Sequence, residues 1–353
     1  MKSKRIASII LVAAVLLSGC NTNTDITTVN TEVTTTTTAT ATSETTTVPT
    51  TTTTTTEPEP VKFEFNPHLY VPTLLPDIPQ DYWESFYNLC DALREGSDTF
   101  QCSSREAYEW ATDSVTLTEL FPAACMMITP ESGDGSKPFE NGTGKISYTI
   151  PAEEYVERQK AFEKYVEEVI NGCVEYDDTD FEKCLKLYDY METNFTYEKY
   201  PGGSDGANYY TFMNHTGVCN ELCSVYAYYL LQVGIEAFHV GCFEGVDHAW
   251  TYMVINGKGY YSDPTWALKG AGDPLGLYYF IMNADRRVET GCPVDDLTAP
   301  LLPKYWFSQS KSRFEATDGS LSFPQASFLD SIDEDNKTVI YTHDSEKKEL
   351  KYS

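Results

Sequence analysis

A cysteine, a histidine and an aspartate follow one another in a short stretch of the chain, at Cys219, His248 and Asp263. A thiol that gives its proton to an imidazole, which is in turn oriented by a carboxylate, is an activated nucleophile. The thiolate attacks a carbonyl carbon, and the histidine moves protons to and from the reacting groups. We therefore expect a site for thiol-based acyl transfer, provided that the fold brings these three side chains together.

The residues after Cys219 predict a helix that begins at the cysteine. Apolar residues recur at the spacing of an amphipathic helix, and Gly234 follows them where a helix commonly ends. In the first turn, unpaired backbone N–H groups and the positive end of the helix dipole favour an anion. The sequence thus favours a thiolate over a thiol at Cys219. The apolar positions are Leu222, Val225, Tyr226, Tyr229, Leu230 and Val233.

Two runs rich in β-branched and aromatic residues follow, at 235–242 and 248–255. The second run leads into Asn256-Gly257, and Asn-Gly after such a run is a strong signal for a two-residue hairpin turn. The sequence therefore predicts an antiparallel hairpin with its turn at these two residues.

This turn determines which side chains share a face of the sheet. With a two-residue loop, Ile255 faces Lys258, and Asp263 lies opposite Trp250. His248 is then a diagonal neighbour of Asp263 on the same face, within reach of its carboxylate. A three-residue loop would place the two side chains on opposite faces, so the prediction depends on the turn.

Four sequence blocks around these residues resemble the signature of the transglutaminase-like superfamily, a papain-related group. The resemblance runs roughly from Leu187 to Phe280, and the spacing from the cysteine to the following glycine-isoleucine pair also matches. It implies Cys219 as the nucleophile, His248 as the general base and acid, and Asp263 as the residue that fixes the imidazole tautomer. The blocks are Gly217-Val218-Cys219, Gly234-Ile235-Glu236-Ala237, His248-Ala249-Trp250 and Asp263-Pro264-Thr265-Trp266.

Some features of the family are not carried over. Cys223 stands where relatives usually have alanine or another small residue, which adds a second thiol one turn from Cys219. The backbone N–H of Cys219 is one expected donor to an oxyanion, and Tyr209, Tyr210 and Asn214 are weaker candidates for a second. The calcium dependence of animal members is not expected, because no corresponding loop is recognisable.

Two alternatives compete with this interpretation. A metal site could use His215, Cys219, Cys223, Cys242 and His248, but zinc sites favour two closely spaced cysteine pairs and the second pair is missing. We therefore expect neither a metal nor a cofactor. The alternative at the level of function is a catalytically silent adhesion or scaffold module with the same fold, although a binding module has no need for all three residue types.

The N-terminal segment predicts export and lipidation. Basic residues precede an apolar run over 6–17, which fits a secretory signal and is too short to span a bilayer. Leu17-Ser18-Gly19-Cys20 resembles a bacterial lipobox, which implies that Cys20 is acylated and becomes the mature N-terminus. An ordinary cleavage site with an incidental cysteine is the alternative. We expect a lipid-anchored protein of the cell membrane that faces the extracellular side.

The composition predicts five parts along the chain. A lipoprotein signal peptide (1–20) precedes a threonine-rich linker (21–60) with too few apolar residues to form a core, so this linker should be disordered. The folded part comprises an N-terminal mixed α/β region (61–150), a transglutaminase-like core (151–285) and a C-terminal extension (286–353).

The fold class that we expect is α+β. In its papain/transglutaminase-like core, an N-terminal helix that carries the nucleophile packs on an antiparallel sheet, with N- and C-terminal extensions on either side. Further elements are predicted as helices at 82–94, 104–111, 152–170 and 181–194, strands at 145–150 and 278–281, and a terminal hairpin after Ser320 that includes 338–341.

Charge and cysteine content constrain the partners and the redox state. The net charge of −28 argues against nucleic acid, because no basic stripe is available to neutralise phosphates. Ten cysteines in an exported protein suggest disulfides. Cys173 with Cys184 and Cys90 with Cys102 are the preferred pairs by proximity in sequence, and a reduced set is an equal alternative.

The sequence as a whole predicts a surface-anchored thiol enzyme of the transglutaminase-like type that acts on amide bonds through an acyl-enzyme. Water as the acceptor makes it a protease or amidase, and an amine makes it a cross-linking acyltransferase. Many prokaryotic relatives are thought to be hydrolytic, so we favour hydrolysis. The expected partners are a protein or peptide substrate, with the cell wall as one source, and the membrane through the N-terminal lipid.

Overall fold

The structure is a computed structural model that describes residues 61–74, 77–129, 138–199, 207–242, 246–269, 273–295, 297–301 and 314–353. Residues 58–353 group into one compact unit. The predicted signal peptide, Cys20 and the threonine-rich linker lie outside the described residues, and the boundaries of the predicted regions stay predictions. Within the described ranges, every helix is too short or too polar to cross a bilayer.

Helices and small, mostly antiparallel sheets alternate along the chain, which confirms the α+β fold class. The described helices are α1 (Gln80–Glu95), α2 (Arg105–Ala111), α3 (Ser114–Leu120), α4 (Ala152–Cys173), α5 (Asp180–Asn194), α6 (Tyr209–Asn214), α7 (Cys219–Gln232), α8 (Pro264–Ala267) and α9 (Ala284–Glu289). The described strands are β1 (Thr99–Gln101), β2 (Ile128–Thr129), β3 (Phe139–Glu140), β4 (Thr143–Lys145), β5 (Ser147–Tyr148), β6 (Thr196–Tyr197), β7 (Thr216–Gly217), β8 (Ala237–Cys242), β9 (His248–Ile255), β10 (Lys258–Ser262), β11 (Ser327–Asp333), β12 (Thr338–His343) and β13 (Glu346–Lys351).

Helix α7 is the centre of the core. It packs on β8 and β9 and also contacts α3, α4 and α5. Every residue from Glu221 to Gln232 is buried, including the tyrosines Tyr226, Tyr228 and Tyr229. The predicted helix is therefore confirmed, but its amphipathic character is wrong, because neighbours cover it on all sides. An apolar residue on every face is typical of such a central helix.

The central sheet has the strand order β10-β9-β8 and is antiparallel. Asn256 and Gly257 both have left-handed φ values, 51° and 76°, which is the backbone that a type I′ hairpin turn requires. Lys258 pairs with Ile255, and the ladder continues to Ser262 opposite Thr251. The predicted turn and register are confirmed.

A further antiparallel sheet, β11-β12-β13, is formed by the last described strands. It has three strands where the sequence predicted a hairpin. Its end is attached to α5 through Glu182, whose carboxylate accepts hydrogen bonds from Tyr352 at 2.6 Å and Lys337 at 3.1 Å. Burial raises the pKa of Glu182, but its hydrogen bonds, first those of Tyr352 and Thr179, outweigh burial and lower the pKa to about 2. This buried carboxylate therefore holds the C-terminal sheet on the core.

Two predicted strands are wrong in detail. Residues 278–281 form a turn, in which Phe280 donates to the carbonyl of Leu277 and Ile281 has a positive φ of 46°. Their apolar pattern reflects individual burial of aromatic and aliphatic side chains, not membership of a ladder. The predicted strand 145–150 is divided between β4 and β5, which pair with different partners.

Cys90, Cys102, Cys173 and Cys184 are free thiols. The preferred pairs Cys90 with Cys102 and Cys173 with Cys184 are therefore not formed. Cys90 and Cys184 are fully buried in the apolar core, where a thiol packs as a small hydrophobic side chain. Cys102 donates to the carbonyl of Ser104 at 3.3 Å. The reduced alternative describes these residues.

Candidate active site

Cys219 is the first residue of α7 and is half-buried. Glu221, in the same turn, accepts a hydrogen bond from the N–H of Val218 at 2.8 Å, which secures the entry to the helix. A side chain at Gly217 would bring its Cβ to 2.8 Å from the Cβ of Glu221, so this close approach requires glycine. The predicted position of Cys219 in the first turn is confirmed.

His248 and Asp263 meet across the hairpin as the register predicts. His248 begins β9 and Asp263 directly follows β10. The Nε2 atom of His248 lies 2.7 Å from Oδ2 of Asp263, and both side chains are buried. Because Nε2 is bound to the carboxylate, Nδ1 is the ring nitrogen that remains for a second partner.

The pKa of His248 reflects its two hydrogen-bonded neighbours. Burial opposes the charged imidazolium and lowers this pKa, but the hydrogen bonds with Asp263 and with the Cys219 side chain outweigh burial and raise it to about 9. Burial likewise raises the pKa of Asp263, yet the hydrogen bond from His248 and the charge of Arg287 bring it below its usual value. At neutral pH the His248 ring is therefore an imidazolium held by the Asp263 carboxylate.

The carboxylate of Asp263 is bound on both oxygens. Its Oδ1 accepts from the backbone N–H groups of Thr265 and Trp266, each at 3.1 Å, and so caps the start of α8. Its Oδ2 binds His248 and also the Nη1 atom of Arg287, at 2.9 Å. These four partners hold the carboxylate in one orientation.

Tryptophan rings enclose the histidine and the arginine. The imidazole of His248 stacks on Trp266, with ring centres 4.4 Å apart and planes 9° apart. The guanidinium carbon of Arg287 lies 4.1 Å from the ring centre of Trp250 and 4.8 Å from that of Trp266. Trp266 remains 36% exposed, so one side of the histidine is covered by an aromatic surface that also faces solvent.

Sequence reasoning missed three contributors to this site. Asn220 places its Oδ1 3.6 Å from the sulfur of Cys219, and its position after the cysteine was the only signal. Trp266 belongs to a recognised sequence block, but its stacking on His248 was not foreseen. Arg287 lies beyond that block in a short helix without a periodic pattern, so no local signal pointed to it.

The weaker oxyanion candidates are directed elsewhere or exposed. The hydroxyl of Tyr210 accepts from Arg158 of α4 at 3.1 Å, and the same guanidinium lies 5.8 Å from the ring centre of Tyr209. Asn214 ends α6 and is exposed. The N–H of Cys219, which has no acceptor inside its own helix, remains the best-placed donor.

Two other thiols, Cys223 and Cys173, differ from Cys219 in their surroundings. Cys223 is fully buried and donates to the carbonyl of Asn220 at 3.2 Å, and burial raises its pKa well above the usual value. Burial also raises the pKa of Cys173, which is half-buried, to about 12. The second thiol near the site is therefore poorly placed to react.

The histidines of the alternative metal site bind other side chains. The Nε2 atom of His215 lies 2.8 Å from the hydroxyl of Tyr165, and His248 binds Asp263. Among the residues that the structure describes, no group of three or more histidine, cysteine, aspartate or glutamate side chains could hold a metal ion.

Comparison with known proteins identifies the segment that contains these residues. Residues 167–263 match the model of the transglutaminase-like superfamily. This segment is a transglutaminase-like domain. It begins within α4 and ends at Asp263, so it includes Cys219 and His248, whereas Arg287 lies outside it. The search of curated proteins finds no match.

Two solved structures resemble parts of the chain. One is described as "a Putative Cysteine Protease from Cytophaga hutchinsonii" and is 20% identical, with a TM-score of 0.24 over 39% of this chain and 61% of its own. The other is described as "a putative protease from Parabacteroides distasonis ATCC 8503" and is 10% identical, with a TM-score of 0.21 over 49% of this chain and 40% of its own. This chain thus spans less than two thirds of either protein.

Proposed function

We propose that this protein is a thiol-dependent enzyme that cleaves amide bonds of a protein or peptide through an acyl-enzyme on Cys219. The observation that carries the proposal is the 2.7 Å contact between Nε2 of His248 and Asp263, which leaves Nδ1 for the sulfur. The transglutaminase-like domain and the start of α7 at the cysteine support it.

In the proposed reaction, the Cys219 thiolate attacks the amide carbonyl carbon and a carbon–sulfur bond forms. The carbonyl oxygen becomes an oxyanion, and the N–H of Cys219 at the open end of α7 is its proposed donor. When the intermediate collapses, the carbon–nitrogen bond breaks and Nδ1 of His248 gives its proton to the leaving amine.

The second half of the reaction releases the acyl group. His248, now neutral, accepts a proton from water as the water oxygen attacks the thioester carbon. The carbon–sulfur bond breaks, the product leaves as a carboxylic acid, and the thiolate–imidazolium pair is restored. A primary amine in place of water would give a new amide, so the acceptor decides between hydrolysis and cross-linking, and we favour hydrolysis.

We further propose that the enzyme works at the outer face of the cell membrane, attached through a lipid on Cys20. The basic and apolar residues before Cys20 and the lipobox-like residues 17–20 support this. The forty residues of 21–60 would span roughly 35 Å as a flexible coil and about 120 Å if extended. Such a tether gives access to proteins and peptides of the cell wall.

Lipidation is tested by feeding cells an alkyne fatty acid and detecting the label on the protein. We expect the wild-type chain to be labelled and to sediment with membranes. The matched variant Cys20→Ala should carry no label and appear in the medium. Equal labelling of both chains, or membrane association of the unlabelled variant, would contradict the proposed anchor.

The activity is tested by incubating the full chain with casein and with cell-wall peptides, with and without a fluorescent primary amine. We expect peptide fragments with new carboxyl termini, and a substrate-derived acyl adduct on Cys219 when the reaction is quenched with acid. Cys219→Ala should give neither. Incorporation of the amine in place of new carboxyl termini would identify the transferase. Turnover that persists in Cys219→Ala would refute the proposed nucleophile, and a wild-type chain without turnover or a reactive thiol would favour the scaffold alternative.

A further inference from the structure

Arg287 is a fully buried cation that binds the carboxylate of the candidate site. Its Nη1 atom lies 2.9 Å from Oδ2 of Asp263, and both side chains are 0% exposed. Nη2 of the same guanidinium is 3.0 Å from the sulfur of Cys292. Two different nitrogens thus fix the plane of the group while the Trp250 and Trp266 rings face its carbon atom.

The backbone explains why this arginine reaches the site. Tyr261, near the end of β10, exchanges two backbone hydrogen bonds with Met282, at 2.9 and 2.7 Å. The N–H of Asp263 donates to the carbonyl of Tyr279 at 2.9 Å. The segment before α9 is therefore attached to the same strand end that carries Asp263, and α9 begins two residues after this attachment.

Arg287 and His248 bind the same carboxylate oxygen. A buried ion pair adds little net stability compared with apolar side chains of similar size, because both charges lose their hydration. The location of this pair, next to His248, indicates a role in orienting the carboxylate. With Oδ1 held by two backbone N–H groups, the guanidinium completes the set of donors that fixes how Oδ2 points at the imidazole.

We propose that Arg287 is a positioning residue for the Cys219–His248–Asp263 site, supplied by the segment that follows the transglutaminase-like domain. The inference rests on the proposed function, since positioning matters only if Cys219 reacts. Arg287 acts through Asp263: it orients the carboxylate and keeps it ionised, and the carboxylate in turn orients His248. The segment after Asp263 is accordingly part of the working site.

The groups that act on the charge of His248 come from three elements. Asp263 at the end of β10 and Cys219 at the start of α7 favour the imidazolium, and Arg287 of α9 disfavours it. Removing the guanidinium while leaving the carboxylate in place should therefore make the imidazolium easier to form. A residue that only filled space would not have this effect.

The test compares the full chain with Arg287→Met, which removes the charge but keeps much of the apolar volume. Arg286→Met is the matched control, because Arg286 is the neighbouring arginine on α9 but is half-buried and pairs with Glu289 at 3.2 Å. NMR of ¹⁵N-labelled histidine follows the titration and tautomer of His248. Iodoacetamide labelling at pH 6 follows the reactivity of Cys219.

In Arg287→Met we expect the His248 midpoint to move to higher pH, because a nearby cation is lost. We expect the labelling rate of Cys219 to fall by about tenfold, because the carboxylate no longer holds the imidazole in place and misplaced reacting groups lose rates of this order. Arg286→Met should change neither. A folded Arg287→Met chain with the wild-type midpoint and rate would overturn the inference. If that variant does not fold, Arg287→Lys replaces it, since lysine has no planar fork to hold Oδ2 and Cys292 together. Because lysine keeps the charge, only the labelling rate of Cys219 is expected to fall there, and a wild-type rate would overturn the inference equally.

The two proposals fail in different ways. A wild-type chain whose Cys219 is no more reactive than its other thiols would refute the proposed function, even if Arg287→Met still moved the His248 midpoint. A selectively reactive Cys219 that Arg287→Met leaves unchanged would refute the positioning role alone.

Discussion

Helix α7 supplies one member to each of two sets that consist of a hydroxyl or thiol, a histidine and a carboxylate. One set is Cys219, His248 and Asp263. In the other, Ser224 Oγ donates to Glu119 at 2.7 Å and lies 3.1 Å from Nδ1 of His239, which also binds Glu119. By residue type alone, both sets resemble catalytic triads.

The two sets differ in how the histidine is used and in what reaches solvent. His248 binds its carboxylate through Nε2, and its other nitrogen remains for the sulfur. His239 uses Nδ1 for both of its partners, so it cannot carry a proton between them from opposite sides of the ring. Ser224 lies inside the helix and is 0% exposed, whereas Cys219 is half-buried at the helix start. Exposure and a ring nitrogen on the far side from the carboxylate, not composition, distinguish the candidate site from the buried set of Ser224, His239 and Glu119.

The largest expected difference between the two sets comes from removing the thiol of one and the hydroxyl of the other. Cys219→Ala should reduce amide cleavage by at least about a thousandfold, because the covalent step is lost. Ser224→Ala should leave cleavage within about twofold of the wild type, because Ser224 is inside the core. Initial rates on the same peptide substrate check both variants. A comparable loss of cleavage in Ser224→Ala would show that the buried set also takes part in the reaction.

The next largest difference in cleavage rate is expected between variants of the two carboxylates, Asp263 and Glu119. Asp263→Asn should lower cleavage by about 10² to 10⁴, because the amide no longer stabilises the imidazolium or selects the Nε2–H tautomer. Glu119→Gln should retain most of the rate. The measurement is kcat/KM for each variant, with thermal melting to establish that it is folded. An Asp263→Asn chain with nearly wild-type kcat/KM would show that His248 works without its carboxylate.

The pH dependence of cleavage should report His248. Its pKa is raised to about 9, so the imidazolium that gives a proton to the leaving amine is present below this pH and is lost above it. We expect kcat/KM to fall about tenfold per pH unit beyond pH 9. In Asp263→Asn this limb should move to lower pH, because the main partner of the charged ring is weakened. A limb that stays in place in this variant would assign it to another group.

The smallest expected effect is on the free energy of unfolding and concerns the buried set of Ser224, His239 and Glu119. Glu119→Gln should lower the free energy of unfolding by about 2 kcal/mol, because two buried hydrogen bonds to the carboxylate are weakened. Urea denaturation of the variant and the wild type measures this difference. Unchanged stability together with a changed rate of cleavage would mean that the cluster contributes to the chemistry.

The sequence was informative where local chemistry decides the structure. Asn256-Gly257 imposes one turn, the turn imposes the register, and the register places His248 beside Asp263. The start of α7 likewise follows from the glycine before Cys219 and the apolar residues after it. These parts of the site could be predicted because each depends on neighbours in the chain.

The remaining features depend on contacts between distant segments. Arg287 reaches Asp263 because Tyr261 pairs with Met282, and no sequence pattern around residue 287 indicates this pairing. The aromatic run 278–281 was predicted as a strand because burial in a turn and burial in a sheet produce similar patterns. The proposed disulfides relied on sequence proximity, although Cys90 and Cys184 are buried in the core.

The most direct test of the central claim is iodoacetamide labelling of the full chain at pH 6, with the adducts located by mass spectrometry. The account predicts rapid and selective modification of Cys219, because the other described thiols are buried except Cys173, whose pKa burial raises to about 12. It also predicts that His248→Ala abolishes this selectivity. Slow and equal modification of the accessible cysteines in the wild type, or selective labelling that is unaffected in His248→Ala, would contradict it.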